Sequence, residues 1–457
     1  MYDLRSYQES GYVAAVDFFK QQAPAPGILV APTAYGKSVL IAHVCNTIEG
    51  KTLVLQPRKE LLKQNYEKFI NLGGYAAIYS ASAGVKKFGN VMYATIGSIK
   101  DLGPKFAALG FTNLIIDEVH LYPRAVESML GVFLEKSGIK KVLGLTATPF
   151  KLQSNIDQNG ERFSKLQMLT SLSKASKTDG NKVGRFFQDI IHVTQIQEIT
   201  ELGFWSKLVY ELHDYSEKGL TYNSAKSDYT EESLRYNYED QQIEEKILYR
   251  LRSLDRKSVL IFVPSIDDAE RLASKLPGAR AVHSKLKDDV QDEIIKGFRK
   301  GHIHYVVNVD ILATGFDHTK IDCIITGRHT ASIAWFYQAL GRGTRIDEAK
   351  QDCLIIDFAG NVKKFGRIEF IYFKKKKFWQ VYGEGGRLLT GLAMHQIGTV
   401  LDGPASGVKM PFGKYKGKDV SEIPRDYIDY MLREFTWTPS NMYIKEACDK
   451  IMNKVTA

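Results

Sequence analysis

A short segment near the amino terminus has the residue types of a phosphate-binding loop. An apolar stretch at 27–31 runs into the loop PTAYG at 32–36, and Lys37 and Ser38 follow at the start of a helical pattern. Backbone N–H groups at such a loop and the positive end of the helix dipole bind phosphate. We predict that Lys37 contacts the β- and γ-phosphates of a nucleotide and that Ser38 binds Mg²⁺. The full pattern G-x-x-x-x-G-K-[ST] begins with glycine, where this chain has Ala31.

Two neighbouring carboxylates, Asp117 and Glu118, follow the apolar run NLII. A strand that ends there places both at the carboxyl edge of a parallel sheet, where open α/β folds bind their ligands. We predict that Asp117 holds the Mg²⁺ shell and that Glu118 orients and deprotonates an attacking water. The alternative is a strand followed by a solvated acidic turn. It is disfavoured because a Gly-Lys-Ser loop precedes this strand in the same βα pattern.

A second basic motif, QALGRGTR, carries Arg342 and Arg345. Residues three apart on a helix share a face, so we predict that both arginines lie on one helix and point the same way. Hydrolysis of a γ-phosphate needs positive charge in the transition state, and an arginine from another domain can supply it. A solvated basic helix face is the alternative reading.

Alternating apolar and amphipathic runs indicate βα repeats, so the fold class is α/β with two tandem parallel-sheet domains and a small carboxyl-terminal accessory module. We place domain 1 at 1–195, domain 2 at 205–370 and the accessory region at 371–457, with a small basic module at about 405–457. A polar insertion at about 152–185 is predicted to hold one helix, 161–173, and a loop. A second polar loop is predicted at 217–232. The predicted strands are 27–31, 52–56, 91–95, 113–117, 141–146, 258–263, 279–283, 303–309, 323–326 and 352–357.

Composition narrows the class of partner. The 457 residues carry a net charge of +10, which favours an anionic partner. The sequence has no apolar run of about 18 residues and no secretory leader, so we expect no membrane contact and a cytoplasmic protein, in the host cytoplasm if a phage encodes it. The four cysteines lack C-x-x-C spacing, so buried reduced thiols are expected and no zinc.

Further segments, in a fixed order over about residues 1–370, resemble the motifs of a superfamily 2 helicase. They are LRSYQ (Q motif), APTAYGKS (I), LQPRKELLKQ (Ia), ATIGSI (Ib), DEVH (II), TATP (III), VLIFVPS (IV), VNVDILATGFDH (V) and QALGRGTR (VI). One departure is Ala34, where helicases usually have glycine.

The resemblance implies two RecA-like domains that bind ATP and Mg²⁺ in the cleft between them and close on ATP. Beyond Lys37, Asp117, Glu118, Arg342 and Arg345, it assigns Gln338 to catalysis. It assigns nucleotide binding to Gln8, which would read the base, and to Arg5, Thr33, Gly36, Gly315 and Asp317. It assigns the coupling between hydrolysis and movement to His120, Thr146 and Thr148. Nucleic-acid contacts fall to Arg58, Lys59, Thr95, Ser98 and Thr314.

The substrate is harder to assign. DEVH, LRSYQ, TATP and the segment IIDFAGNVKKFG are closer to the DNA-repair and branch-migration branch than to the DEAD-box RNA helicases. We therefore expect an ATP-dependent DNA helicase or translocase, a monomer, that acts on single-stranded, forked or branched DNA. A duplex translocase without strand separation, an RNA helicase and a binding scaffold with a decayed ATP site remain alternatives.

Two carboxyl-terminal features stay open. The lysines at 374–377, interleaved with aromatic residues, suit phosphate contact and base stacking, or a solvated charge run over an accessory core. The segment MPFGKYKGKDVSEIPRDYIDYML resembles a small module appended to some bacterial and phage nucleic-acid enzymes, and its role stays open.

Overall fold

The computed structural model describes residues 3–81, 83–122, 128–156, 162–171, 173–175, 182–313, 318–391, 408, 410, 413–435, 437 and 442–453. Its strands, in chain order, are β1 (Gly27–Val30), β2 (Lys51–Leu55), β3 (Ala76–Ser80), β4 (Val85–Lys86), β5 (Val91–Ala94), β6 (Phe111–Ile116), β7 (Lys141–Thr146), β8 (Phe150–Ile156), β9 (Arg162–Met168), β10 (Ser173–Ala175), β11 (Lys182–Arg185), β12 (Asp189–Val193), β13 (Lys207–Leu212), β14 (Val259–Phe262), β15 (Arg280–Val282), β16 (Tyr305–Asn308), β17 (Cys323–Thr326), β18 (Asp352–Asp357), β19 (Tyr372–Lys375) and β20 (Trp379–Tyr382).

The helices complete the two βα layers. They are α1 (Ser6–Lys20), α2 (Lys37–Thr47), α3 (Lys59–Asn71), α4 (Ile96–Ile99), α5 (Gly103–Ala108), α6 (Met129–Ser137), α7 (Ile196–Glu201), α8 (Glu231–Asp240), α9 (Ile243–Leu251), α10 (Ile266–Lys275), α11 (Asp288–Arg299), α12 (Ile333–Leu340), α13 (Asn361–Phe365), α14 (Arg425–Glu434) and α15 (Met442–Asn453).

Two separate sheets confirm the predicted α/β fold. The first has the order β12-β1-β7-β6-β2-β5-β3-β4 and is parallel except for β4, and the second has the order β13-β18-β17-β14-β16-β15 and is parallel throughout. Their central strands are buried on both faces, as continuous Val/Ile/Leu runs require. Every predicted strand is present, with ends shifted by at most two residues. The first domain below is the first sheet with its helices, and the second domain is the second sheet with its helices.

The predicted helix at 161–173 is wrong. Residues Arg162–Met168 form β9, which pairs with β8 as an antiparallel hairpin in register Phe150↔Met168. Ser164, Leu166 and Met168 are buried while the residues between them are partly exposed, so the burial follows the period of two of a strand. By contrast, 217–230 is irregular as predicted, with one isolated bridge between Tyr222 and Tyr229.

The β19–β20 hairpin follows the second domain but packs on the first. Gln195 donates to the carbonyl of Phe373 (2.7 Å) and accepts from its N–H (3.0 Å), and the Trp379 indole donates to Asp189 Oδ1 (2.8 Å). Beyond it, α14 and α15 enclose a small core of their own, which includes Ile428, Met431, Ile444 and Cys448. The apolar core of the first domain continues without a break into the second.

Two expectations from composition can be compared with this fold. All four cysteines are free and buried, as predicted. Within the described ranges, none of the helices is both long enough and apolar enough to cross a membrane.

Candidate nucleotide site between the two domains

The two domains share a cavity of about 430 Å³. Most of the residues predicted to bind the nucleotide or to act on its phosphates line it together: Arg5, Gln8, Thr33, Gly36, Lys37, Ser38, Asp117, Glu118, Gln338, Arg342 and Arg345. Since the first eight come from domain 1 and the last three from domain 2, the cavity exists only where the domains meet.

The phosphate-binding loop joins β1 to α2. Its conformation depends on two residues in the left-handed region, Ala34 at φ 63° and Gly36 at φ 87°. Glycine adopts this region without strain, whereas a Cβ makes it costly. Ala34 therefore holds a backbone conformation that glycine would adopt without strain, and α2 begins at Lys37 with its N–H groups facing the loop.

We expect Ala34→Gly to stabilise the fold. Left-handed φ costs an alanine about 1 kcal/mol, and the added freedom of glycine in the unfolded chain offsets part of the gain. The free energy of unfolding should rise by about 0.5 kcal/mol, which would be seen as a slightly higher midpoint of urea unfolding. Ala42→Gly, in the helical interior of α2 where α-helical φ suits alanine, should lower the same midpoint. A fall with Ala34→Gly would show that the loop is unstrained.

The acidic pair lies next to the lysine of the loop. Lys37 Nζ is 2.9 Å from Glu118 Oε1. Burial, and then the charge of Glu118, raise the pKa of Asp117 to about 6. Burial also acts to raise the pKa of Glu118, but the charges of Lys37, His120 and Arg342 outweigh it and hold that pKa below its ordinary value. Glu118 is therefore the carboxylate kept ionised in this site, as a group that accepts a proton from water must be.

The three residues assigned to coupling form one chain behind the carboxylates. His120 Nδ1 is 2.8 Å from Thr146 Oγ1 and 3.4 Å from Glu118 Oε2. Thr146 Oγ1 also accepts from the backbone N–H of Thr148 (3.0 Å). Glu118 is thereby linked through His120 to the strand end of β7, from which the β8–β9 hairpin departs.

The amino-terminal segment closes the other end of the loop. Gln8 Nε2 donates to the carbonyl of Tyr35 (2.7 Å), and its Oε1 accepts from the N–H of Arg5 (2.8 Å). The Arg5 guanidinium lies over the ring of Phe204, 4.5 Å from its centre. Gln8 thus holds the loop backbone directly, and the Arg5–Phe204 pair offers a flat surface at the cavity wall. Phe204, from the segment between the domains, was not predicted.

The second domain reaches the loop at Thr33. The Thr33 N–H donates to Tyr337 Oη (3.4 Å), and its carbonyl accepts from the Trp205 indole (2.9 Å). A Cβ on Gly341 would lie 2.6 Å from Thr33 Cγ2, so only glycine allows this approach. The domains are therefore in contact across the cleft.

The prediction that Arg342 and Arg345 share one helix is wrong. Helix α12 ends at Leu340, and both arginines lie in the turns that follow. The two glycines of GRGTR disfavour helix, and Arg342 instead donates from Nε to the carbonyl of Gln338 (3.2 Å). Both arginines still line the cavity, and the charge of Arg342 acts on Glu118.

Helix α3 adds residues that were not predicted. Asn65 Nδ2 donates to Asp117 Oδ2 (3.1 Å), and Lys68 Nζ donates to Ser38 Oγ (2.8 Å). Both line the cavity, and both touch a residue expected to bind the metal. Asn65 and Lys68 share one helical face with Leu61 and Gln64. The sequence pattern reveals this face but not what it contacts.

The residues present fit a nucleotide with Mg²⁺. Gln338 Nε2 is buried at the cavity and has no hydrogen-bond partner among the described residues, as expected of an atom that meets a ligand. Ser38 and Asp117 supply hard oxygen donors. Mg²⁺ takes one or two such ligands from a protein and the rest from phosphate and water.

The predicted nucleic-acid residues fall into two groups. Arg58 lines a second interdomain cavity, of about 520 Å³, with Pro264, Ser284 and Arg328 of domain 2. Its neighbour Lys59 forms an ion pair with Asp288 of domain 2. The second group is Thr95 and Ser98, whose hydroxyls are 2.9 Å apart at the start of α4 and do not line this cavity. Thr314, Gly315 and Asp317 lie outside the described residues.

Comparison with known proteins fits this geometry. Residues 1–151 match the family model "Type III restriction enzyme, res subunit", and residues 242–347 match "Helicase conserved C-terminal domain". These two segments carry the two walls of the cavity. Together with the relatives below, the two models support the predicted superfamily 2 helicase assignment. A third model, "Putative quorum-sensing-regulated virulence factor", matches residues 405–440 of the carboxyl-terminal module.

A curated relative supports this assignment, and two solved structures share the fold. The chain is 27% identical to a Schizosaccharomyces pombe protein named "Putative mitochondrial ATP-dependent helicase irc3", over 79% of this chain and 58% of the relative. The fold is similar to a type I restriction enzyme HsdR subunit fragment from Vibrio vulnificus, with a TM-score of 0.56, 19% identity, and 79% of this chain and 65% of that one covered. It is also similar to the type ISP restriction-modification enzyme LlaBIII, with a TM-score of 0.55, 14% identity, and 78% and 28% covered.

The match covers only part of the first two curated relatives. It spans about half the length of the curated relatives it matches, 58% of one and 51% of another.

Proposed function

We propose that this chain hydrolyses ATP in the interdomain cavity and uses the cycle to move along DNA. One observation carries the proposal: Lys37, Asp117 and Glu118 of the first domain share a cavity with Arg342 and Arg345 of the second. Phosphate-binding and charge-stabilising groups on separate bodies tie hydrolysis to domain closure, and closure and opening are what a motor needs.

Each side chain has a distinct part in the proposed reaction. Lys37, now paired with Glu118, turns to the phosphates and releases that carboxylate to orient a water and accept its proton. Ser38 and Asp117 would hold Mg²⁺, which when bound would neutralise phosphate charge. Arg342 supplies positive charge from the other domain as the γ-phosphate oxygens gain negative charge.

The second interdomain cavity supports a binding path for a nucleic-acid strand across both domains. Affinity along this path should fall as the salt concentration rises. Arg58 and Arg328 line it from opposite domains, with Arg328 in ion pairs with Asp310 and Asp228. Arg58 donates to the Ile311 carbonyl (3.4 Å) and Lys59 pairs with Asp288, so both groups join the domains without nucleic acid. Phosphates entering there would compete for these cations, and strand binding would then change the domain contact.

The nature of the nucleic acid is tested by ATPase stimulation. The model over residues 1–151 is named for a restriction enzyme, and the structurally similar restriction-modification enzyme LlaBIII is bound to DNA, which supports DNA as the first nucleic acid to test. The initial rate of phosphate release should rise with single-stranded or forked DNA and much less with RNA of the same sequence. Equal stimulation by RNA would support the RNA helicase alternative. No hydrolysis with any nucleic acid would reject the motor.

The finer proposal is that the chain unwinds or branch-migrates forked or branched DNA. A labelled fork and a labelled triplex separate the two motor classes. Fork unwinding without triplex displacement supports a helicase, and triplex displacement alone supports duplex translocation. Three-prime-tailed, five-prime-tailed and four-way substrates in the same assay give the polarity and the preferred structure.

The β19–β20 hairpin supports a further DNA contact of this motor. Lys374–Lys377 and Phe378 are exposed at its end, whereas Phe365 and Phe373 are buried. Of these three aromatic side chains, two are therefore part of a core and only the ring of Phe378 is exposed. Trp379 and Gln195 fix the hairpin on the first domain, so its lysines form a positioned basic surface rather than a mobile tail.

Changing Lys374, Lys376 and Lys377 together to Glu should weaken duplex DNA binding about tenfold. It should also reduce the slope of log K against log[salt] by about 1 to 3, since each lost phosphate contact removes nearly one unit. Fluorescence anisotropy at several salt concentrations measures both. Lys136, Lys140 and Lys300, exposed elsewhere, changed to Glu give the same change in net charge. Equal weakening by the control would show a general charge effect and remove the hairpin from the contact.

A further inference from the structure

The metal-binding residues of the cavity are already occupied by side chains of one helix. Lys68 Nζ of α3 is 2.8 Å from Ser38 Oγ, and Asn65 Nδ2, almost one turn earlier, is 3.1 Å from Asp117 Oδ2. Ser38 and Asp117 are the two oxygen donors that fit Mg²⁺. Helix α3 thus places an ammonium on one donor and an amide on the other.

An ammonium is more than the hydroxyl of Ser38 needs. Water at the open side of the cavity, or any neutral donor, would satisfy Ser38 Oγ. Lys68 instead extends a long flexible chain into the cavity that Lys37 already enters, at a cost in side-chain entropy. Lys37 is already paired with Glu118, so Lys68 is a second ammonium in the cavity that the phosphates are proposed to enter.

We propose that Lys68 is a resident cation of the metal site: its ammonium holds Ser38 Oγ in the nucleotide-free protein and leaves it when the metal-bound nucleotide enters. The inference rests on the proposed nucleotide site. It adds that Lys68, which belongs neither to the phosphate-binding loop nor to the acidic pair, determines how strongly nucleotide binding depends on Mg²⁺.

The Lys68 ammonium and Mg²⁺ cannot both bind Ser38 Oγ, because they would be too close and both are positively charged. Mg²⁺ binds a hydroxyl oxygen at about 2.0–2.1 Å, so an ammonium on that oxygen would be a near neighbour of a divalent cation. Like charges at that separation in a partly buried site repel strongly. Lys68 then turns toward the phosphates, which its flexible, unbranched stem allows.

Lys68 therefore weakens the binding of metal and strengthens the binding of metal-free nucleotide. It competes with the metal for Ser38, and it offers a positive charge to phosphates that lack a metal. By linkage, both effects lower one ratio, the nucleotide dissociation constant without Mg²⁺ divided by that with Mg²⁺.

The test measures this ratio with a fluorescent ADP analogue, in excess Mg²⁺ and in EDTA. Lys68→Met, which keeps the length of the side chain and removes its charge, should raise the ratio about fivefold or more. Lys68→Arg should stay near the wild-type value. The matched control is Lys63→Met, on the exposed face of α3, which should leave the ratio unchanged. An unchanged or lower ratio in a Lys68→Met protein that unfolds at the wild-type temperature would overturn the inference.

A second measurement separates this inference from the proposed function. Binding of Mn²⁺ alone, followed by its EPR signal without nucleotide, should be about fivefold tighter in Lys68→Met than in the wild type. If the wild type binds no nucleotide, the proposed function fails, while the Mn²⁺ comparison still decides whether Lys68 opposes the metal. Equal Mn²⁺ affinities in the two proteins reject the resident cation.

Discussion

Replacing Glu118 with Gln is expected to lower the rate of DNA-stimulated ATP hydrolysis by about 10² to 10⁴ while nucleotide still binds. Glu118 is nearly enclosed, and its pKa lies below the ordinary value because Lys37, His120 and Arg342 outweigh the effect of burial. The carboxylate is thus ionised at neutral pH and able to take a proton from water. Glutamine keeps the shape of the side chain but carries no charge and cannot accept that proton. Phosphate release and fluorescent-nucleotide binding, measured on the same preparation, separate the two steps.

Three controls make that result interpretable. Glu135→Gln, on the exposed side of α6, makes the same chemical change away from the cavity and should have full activity. Lys37→Ala should instead weaken nucleotide binding as well as hydrolysis, because its ammonium meets the phosphates in both states. Wild-type ATPase activity also rejects the decayed-site scaffold. Full hydrolysis in Glu118→Gln would show that another group activates the water.

Much of this site could be predicted because its residues are close in sequence to strand ends. A parallel strand brings its last residues to a fixed edge of the sheet, so Asp117 and the loop at 32–36 were placed by the apolar runs that precede them. The same argument gave the ten strands. The left-handed φ of Ala34 could not be read from the sequence, since alanine itself disfavours it.

The residues that were missed or misplaced depend on tertiary contacts. Asn65 and Lys68 lie on a visible helical face, but only the packing of α3 beside α2 brings them to Asp117 and Ser38. The prediction of a helix at 161–173 failed because the polar composition of the insertion at 152–185 was given more weight than its alternation of buried and exposed residues, which has the period of a strand. In QALGRGTR, the three-residue spacing suggested a helix, but contact with Thr33 needs glycine at Gly341.

The effect of Arg342→Ala should be as large as that of Glu118→Gln but should have a different cause. An arginine that meets the γ-phosphate chiefly in the transition state contributes a factor on the order of 10³ to 10⁵ in turnover in related systems. Nucleotide affinity should therefore change only slightly while turnover collapses, which is the signature of an interaction made in the transition state. Steady-state ATPase and nucleotide binding measured together give both values.

Arg342 is almost fully buried and bonded to Gln338, so the substitution could act by loosening the turn after α12. Arg342→Lys addresses this, since it keeps the charge and most of the packing but not the planar fork that binds phosphate oxygens in pairs. It should also lose most of its turnover, with an unfolding temperature near the wild-type value. Arg252→Ala, exposed at the end of α9, is the matched arginine control. Because Arg342 stands on the domain opposite Glu118, a loss confined to turnover would show that hydrolysis requires both walls of the cleft, whereas equal losses in binding and turnover would assign Arg342 to holding the domains together.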